Sequence, residues 1–135
     1  MRALLAALAV SAAYPGLWAV VAPRSFFDGF PGAGRHWTAE LPAYSEHLVT
    51  DVGAFYLAFA LLLAWAALRP SRELVVPVCS AFALFSTLHL AWHAAHLDGL
   101  TTFDAVAQTA SLAAVLIASA GAAVVASRRP ARGAS

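Results

Sequence analysis

The chain contains no lysine, a single cysteine and a single methionine, and only 11% of its 135 residues are charged. Each scarcity excludes something. Lone Cys79 cannot close an internal disulfide, and within an apolar run it reads as a packed thiol. Without lysine, the net charge of +1 rests on arginines in short loops rather than on a basic arm or stripe, so nothing supports a nucleic-acid partner. Ser45, Ser80, Ser86 and Ser111 occur in no Gly-x-Ser-x-Gly elbow, which leaves nucleophilic hydrolysis without its usual frame. Gly29, Gly32 and Gly34 form no phosphate loop and read as turn glycines, so a soluble nucleotide cofactor has no place to bind.

What the chain has in abundance is apolar surface. Hydrophobic residues make up 61% of it, with a mean hydropathy of +0.75, and too few polar side chains remain to cover a water-soluble globule. An integral membrane protein is expected. A helix needs roughly 20 mostly apolar residues to cross a hydrocarbon core of about 30 Å. Four such segments, at about residues 4–22, 47–68, 72–96 and 103–126, nearly exhaust the sequence. The expected fold is therefore all-α, a four-transmembrane-helix bundle forming one domain over residues 1–127, followed by a disordered cytoplasmic tail at 128–135. The first segment follows Arg2 and resembles a secretory signal, with Ala12 and Ala13 as small residues for cleavage. Its hydrophobicity nevertheless continues through Leu17, Trp18, Ala19, Val20 and Val21, beyond the usual ~7–15 residues of a signal's apolar region, and it is read as the first span.

Residues 23–46 differ in character. Pro23, Pro31 and Pro42 with Gly29, Gly32 and Gly34 prevent one continuous helix, and Phe26, Phe27, Phe30, Trp37 and Tyr44 suit the headgroup zone of a bilayer. An aromatic flap lying on the membrane is expected there. Further along, Arg69-Pro70 ends the second span, Ser71 caps the third with Glu73 in its first turn, and Pro77 adds a mild kink. Asp98-Gly99 ends the third span, and Thr101 or Thr102 caps a fourth rich in Ala, Gly and Ser, which permits close backbone approach.

Arginine placement orients the spans. Arg2, Arg69, Arg72, Arg128, Arg129 and Arg132 fall on one side and only Arg24 and Arg35 on the other, which puts both termini in the cytoplasm of a multi-pass cell-membrane protein. Asp28, Glu40, Glu46, Asp51, Asp98 and Asp104 then lie at or near the outer face, together with all five histidines.

Three of those histidines, His89, His93 and His96, fall at i, i+4 and i+7 on one face of the third span, and Ser86 extends the stripe one turn deeper. The second span offers His47 and Asp51 at i and i+4, and the fourth offers Asp104, Gln108 and Ser111. Tyr14 and Trp18 of the first span form a further i, i+4 pair that could complete a wall. An ionisable side chain at mid-span costs about 2.5–3.5 kcal/mol on insertion scales, so convergence of these stripes inside the bundle is expected.

Imidazoles with nearby carboxylates form a ligand set for zinc, iron or copper, with His47, Asp51, His89, His93 and His96 as candidate metal ligands. His47 facing a third-span histidine could instead hold a haem. A hydrogen-bonded His/Asp/Gln network that only ties the helices together, or responds to pH, is the remaining alternative. No His-Glu-x-x-His or Glu-x-x-His motif is present, so neither the zinc peptidase nor the di-iron site is satisfied.

The segment Asp51-Val52-Gly53-Ala54-Phe55-Tyr56-Leu57-Ala58-Phe59-Ala60, within a four-span chain of this size, resembles the DoxX-like group of small bacterial membrane proteins. The resemblance covers one helix and the span layout. It implies a four-helix bundle with an accessory role beside membrane redox enzymes or quinone-linked electron transfer.

Three functions follow as expectations. The first is a metal-bearing or haem-bearing site for redox or electron-transfer chemistry, with His47, His89, His93 and His96 holding the cofactor, Asp51 and Asp104 acting as carboxylates that fix the imidazole tautomers or as proton acceptors, and the flap around Trp37 screening the opening. The second is a non-catalytic subunit docking on a membrane protein partner through the fourth span. The third is metal-free acid/base chemistry on a lipophilic small molecule, with a histidine and Asp51 moving the proton.

Overall fold

The computed structural model describes residues 1–39 and 43–128. Glu40, Pro42 and all of the expected tail beyond Arg128 lie outside these residues. The described chain is helical apart from one small hairpin: α1 (Arg2–Val21), α2 (Pro23–Gly29), β1 (Pro31–Gly32), β2 (Arg35–His36), α3 (Glu46–Leu68), α4 (Arg72–Ala95) and α5 (Thr102–Ser127). Helices α1, α3, α4 and α5 are each long and apolar enough to cross a membrane.

Local chemistry sets the helix ends. The Ser45 hydroxyl accepts from the Leu48 amide at the start of α3, and the Thr101 hydroxyl accepts from the Asp104 amide at the start of α5. Ser71 occupies the cap position of α4, as expected, but its side chain makes no capping bond; its carbonyl accepts from the Val75 amide instead. Both Pro15 and Pro77 lie inside helices, α1 and α4 respectively.

Within the 23–46 segment, the expected break in helicity takes a specific form. Pro23 opens the short α2, where Pro is tolerated because the first-turn amide has no helical partner. Antiparallel β1 and β2 follow, pairing Pro31 with His36 and Gly32 with Arg35. The turn between them runs through positive φ at Gly32 (+95°), Ala33 (+55°) and Gly34 (+74°), a path that glycine permits at the two outer positions.

The four long helices pack α1 on α3 and α4 on α5 most closely, with thinner contacts of α3 on α4 and of α1 on α5. The α1–α3 seam is tight because it is built on glycine. A Cβ on Gly53 would come within 2.9 Å of both Ala19 Cβ and Val20 Cγ2, and one on Gly16 would lie 3.0 Å from the Leu57 amide nitrogen. Backbones can approach this closely only where a side chain is missing.

The core occupies one half of the helix assembly. Leu5, Leu8, Ala9 and Ala12 of α1 meet Ala60, Leu63 and Ala66 of α3, Val75, Val78, Cys79 and Phe82 of α4, and Ala122 and Ala126 of α5. Cys79 is buried there, as the sequence suggested. Toward the opposite end the buried side chains turn polar: Ser86, His93 and Gln108. Around the outside, large apolar side chains such as Leu17, Phe55, Leu61, Trp65, Leu68, Leu84, Leu88 and Ile117 are exposed, a distribution that suits lipid and not water.

Candidate functional site

The polar end is organised by α4. Ser86, His89, His93 and His96 recur at helical spacing, but the face they share is buried only in part: Ser86 and His93 are buried, His89 is half-buried and His96 is exposed. The His89 ring lies 4.6 Å from that of His93, centroid to centroid, and stacks on Phe85 at 5.5 Å with an interplanar angle of 15°. Tyr56 of α3 meets His89 edge-on at 6.0 Å and Phe85 at 5.1 Å. Phe59 and Phe82 continue this aromatic column toward the apolar core.

From α5, Gln108 is 4% exposed and its amide neighbours the His93 ring, itself 7% exposed. His93 Nδ1 and Gln108 Oε1 are both buried and have no partner at close hydrogen-bonding distance and angle, yet the Gln108 side chain lies near enough to the His93 ring to bond it. In a bilayer interior no bulk water is available to satisfy such groups, and each one left unmade costs on the order of 1–3 kcal/mol. The two groups lie on adjoining helices and each is the nearest the other has to a partner, so His93 and Gln108 form the polar contact between α4 and α5 at this end.

The remaining expected residues are placed elsewhere. His47 Nε2 lies 3.4 Å from Asp51 Oδ2, with side chains 83% and 50% exposed, so this pair is a surface contact along α3 and does not project inward. His96 Nδ1 bonds the Trp92 carbonyl at 2.7 Å while its ring stacks on the indole at 4.1 Å, and His36 Nδ1 bonds the Asp28 carbonyl at 2.6 Å. Among the described residues no group of three or more His, Cys, Asp or Glu is arranged to hold a metal ion. The set His47, Asp51, His89, His93 and His96 is thus not assembled: His47 adjoins Asp51 on the surface of α3 and His89 adjoins His93 on α4, and donors so divided do not fit a metal centre. A haem needs His47 to face α4 across the helices, and an imidazole as exposed as this one does not fit that role.

Asp104 also has a different role from the one expected. Its Oδ1 accepts from Arg35 Nη1 in an ion pair and from the Trp37 indole N–H at 2.8 Å, while Oδ2 accepts from the Thr101 hydroxyl at 2.6 Å. With its lone pairs engaged, this carboxylate latches the β-hairpin to the first turn of α5. Arg35 further lies 4.4 Å above the Phe103 ring. The i, i+4, i+7 stripe of α5 consequently divides: Asp104 holds the flap, Gln108 faces His93, and Ser111 is exposed, its hydroxyl returned to the Gln108 carbonyl.

Tyr14 and Trp18 do pair, at 5.9 Å, but they serve the flap and not a wall around the histidines. The Tyr14 hydroxyl donates to the Pro31 carbonyl at 3.0 Å, and Trp18 packs edge-on against Phe26 and Phe30. Phe30 in turn meets Trp37 at 6.2 Å. On the exposed side of α2, Arg24 bonds Asp28 at 2.7 Å; that hydrogen bond and the carboxylate charge push the guanidinium pKa further up.

Two participants were not singled out as site residues by the sequence. Tyr56 gave no signal beyond being a hydroxyl inside an apolar span, because nothing in α3 alone says which of its faces meets α4. Arg35 could have been found by charge: it is one of two arginines in the segment between α1 and α3, and Asp104 is a carboxylate at the same end of the helices. No family model, curated protein or solved structure matches the chain.

Proposed function

We propose that this chain is a multi-pass membrane protein, a four-helix bundle with both termini in the cytoplasm, that binds a small lipid-soluble molecule at the polar face between α4 and α5. The observation that supports this is the polar pair His93 and Gln108, buried on two adjoining helices with no close hydrogen-bond partner beyond each other. His93 and Gln108 would orient the polar group of the ligand, Ser86 adds a buried hydroxyl about 10 Å deeper along α4, and His89 beside His93 is the imidazole placed to exchange a proton with it. Phe85, Tyr56 and Phe59 supply an aromatic wall for the apolar remainder of the molecule.

This is the metal-free member of the functions the sequence leaves open, and it uses neither Asp51 nor Asp104 as the proton acceptor. Both are accounted for by other contacts: Asp51 by His47 and Asp104 by the flap.

The test is extraction of the protein, purified in mild detergent from its host membrane, followed by mass spectrometry of the organic phase. A stoichiometric small molecule should accompany the unaltered chain and a His47→Ala/Asp51→Ala variant alike, and should be depleted about ten-fold or more in His93→Phe/Gln108→Leu. Equal retention by all three proteins would refute the assignment to this face. Elemental analysis of the same samples addresses the metal-bearing alternative directly.

A further inference from the structure

The two ends of the helix assembly treat their arginines differently. At the end that carries the flap, Arg24 pairs with Asp28 and Arg35 with Asp104. At the other end Arg2 opens α1, Arg69 closes α3, Arg72 opens α4 and Arg128 closes α5. All four are exposed, and none lies within ion-pairing distance of a described carboxylate. Glu73 is the one described carboxylate at this end, because Asp28, Glu46, Asp51, Asp98 and Asp104 belong to the flap end. Four guanidiniums against one carboxylate leave three positive charges unmatched.

Helix packing keeps these charges together. Antiparallel packing of α1 on α3 brings Arg2 beside the end of α3, the same arrangement of α5 on α4 brings Arg128 beside the start of α4, and only Pro70 and Ser71 separate Arg69 from Arg72. Neighbouring axes lie roughly 8–10 Å apart, about one Debye length at physiological salt, so the like charges repel unless an anion comes among them. Depth then narrows the choice of anion. The 23 residues of α3 make a helix about 35 Å long against a hydrocarbon core of about 30 Å, which sets Arg69 at the level of lipid phosphates. Below Arg69, Leu61, Trp65 and Leu68 recur at i, i+4 and i+7 on one exposed face of α3, an apolar strip at acyl-chain depth with an indole near the headgroup boundary.

Inorganic phosphate would meet the arginines but has nothing to lay on that strip. A zwitterionic phospholipid covers the strip but brings an ammonium with every phosphate, so the excess charge stays uncancelled. An acidic protein resting on this end would meet the charge and stop short of Leu61 and Trp65. We propose that this end binds an anionic phospholipid, its phosphate held by the planar forks of Arg69 and Arg72 and an acyl chain lying along Leu61, Trp65 and Leu68. The site is separate from His93 and Gln108, and it stands whichever leaflet this end faces.

The full chain, delipidated in mild detergent, is titrated with dioleoyl phosphatidylglycerol or dioleoyl phosphatidylcholine and read by native mass spectrometry. Phosphatidylglycerol should bind about ten-fold more tightly than phosphatidylcholine. Arg69→Gln and Arg72→Gln should each weaken phosphatidylglycerol about five-fold, the worth of one arginine at an anionic surface, and leave phosphatidylcholine unchanged. Trp65→Ala should weaken both lipids alike, and Arg24→Gln at the flap end neither. Inorganic phosphate at the concentration of the lipid should displace nothing.

Equal affinity of the unaltered chain for the two lipids would overturn the proposal, a comparison that requires no variant to fold. A loss in Arg24→Gln as large as that in Arg69→Gln would also overturn it, because positive charge anywhere on the chain would then suffice. Displacement by inorganic phosphate would reduce the arginines to a plain anion site. A stoichiometric acidic protein from the host membrane that blocks uptake of phosphatidylglycerol would assign the surface to a protein instead.

Discussion

Asp104 shows how much one side chain can be committed by its neighbours. Three donors, from Arg35, Trp37 and Thr101, converge on its two oxygens, and Thr101 also receives the Asp104 amide, so cap and latch are one unit at the start of α5. Charge-assisted hydrogen bonds contribute about 1.5–3 kcal/mol each when well shielded and less when exposed; the Arg35 side chain is 37% exposed, which discounts its share. Asp104→Ala is expected to lower stability and to free the hairpin. Trypsin reports this well, because the chain has no lysine and cleavage after Arg35 requires that arginine to leave its carboxylate. Faster cleavage at Arg35 in the variant is the expected result, whereas an unchanged digestion rate would mean that the latch does not hold the flap. Asp104→Asn, which keeps one carbonyl oxygen for the Trp37 indole but replaces the acceptor of the Thr101 hydroxyl with a donor, should fall between the two.

At the scale of elements, the α1–α3 seam depends on two glycines that share one region of contact. A side chain at Gly53 has no room, since its Cβ alone would sit 2.9 Å from Ala19 Cβ, and separating the helices would strip contacts along the seam. Gly53→Val should destabilise the protein by about 2 kcal/mol or more in detergent unfolding assays. Gly121 of α5 is the contrast: an added Cβ there meets nothing within 4 Å, so Gly121→Ala should be neutral or stabilise by up to about 1 kcal/mol through helix propensity. Equal responses at the two positions would contradict the packing described for α1 and α3. Spacing alone treats both as small residues in an apolar span; only the neighbouring helix distinguishes them.

For the whole molecule, the distribution of polarity along the helices is the main fact. Dry packing of Leu5, Leu63, Val75 and Phe82 seals one half, and the polar residues Ser86, His93 and Gln108 lie in the other, beneath a flap fixed by Tyr14, Trp18 and Asp104. If the arginine bias sets orientation, the sealed half faces the cytoplasm. Reporter fusions at the N- and C-termini should therefore both be active as cytoplasmic reporters and silent as periplasmic ones. An active extracytoplasmic reporter at the C-terminus would reverse the assignment of sides, although the internal geometry of the site would stand.

Hydropathy and helix-stop chemistry were enough to place the four long helices close to their observed limits. Span formation is decided locally: about 20 apolar residues form one, and a proline, a glycine or a capping hydroxyl ends it. The same local information identified the α4 histidine face and singled out Gln108 beside Asp104. It could not say how the helices are rotated about their axes. That rotation turned His47 and Asp51 outward into an exposed pair, gave Asp104 and the Tyr14–Trp18 pair to the flap, and left only His89 and His93 to meet Gln108 and Tyr56 inside. A helix's own sequence specifies which residues share a face, whereas the partner each face meets depends on close contacts such as Gly16 on Gly53, and those exist only once the chain has packed.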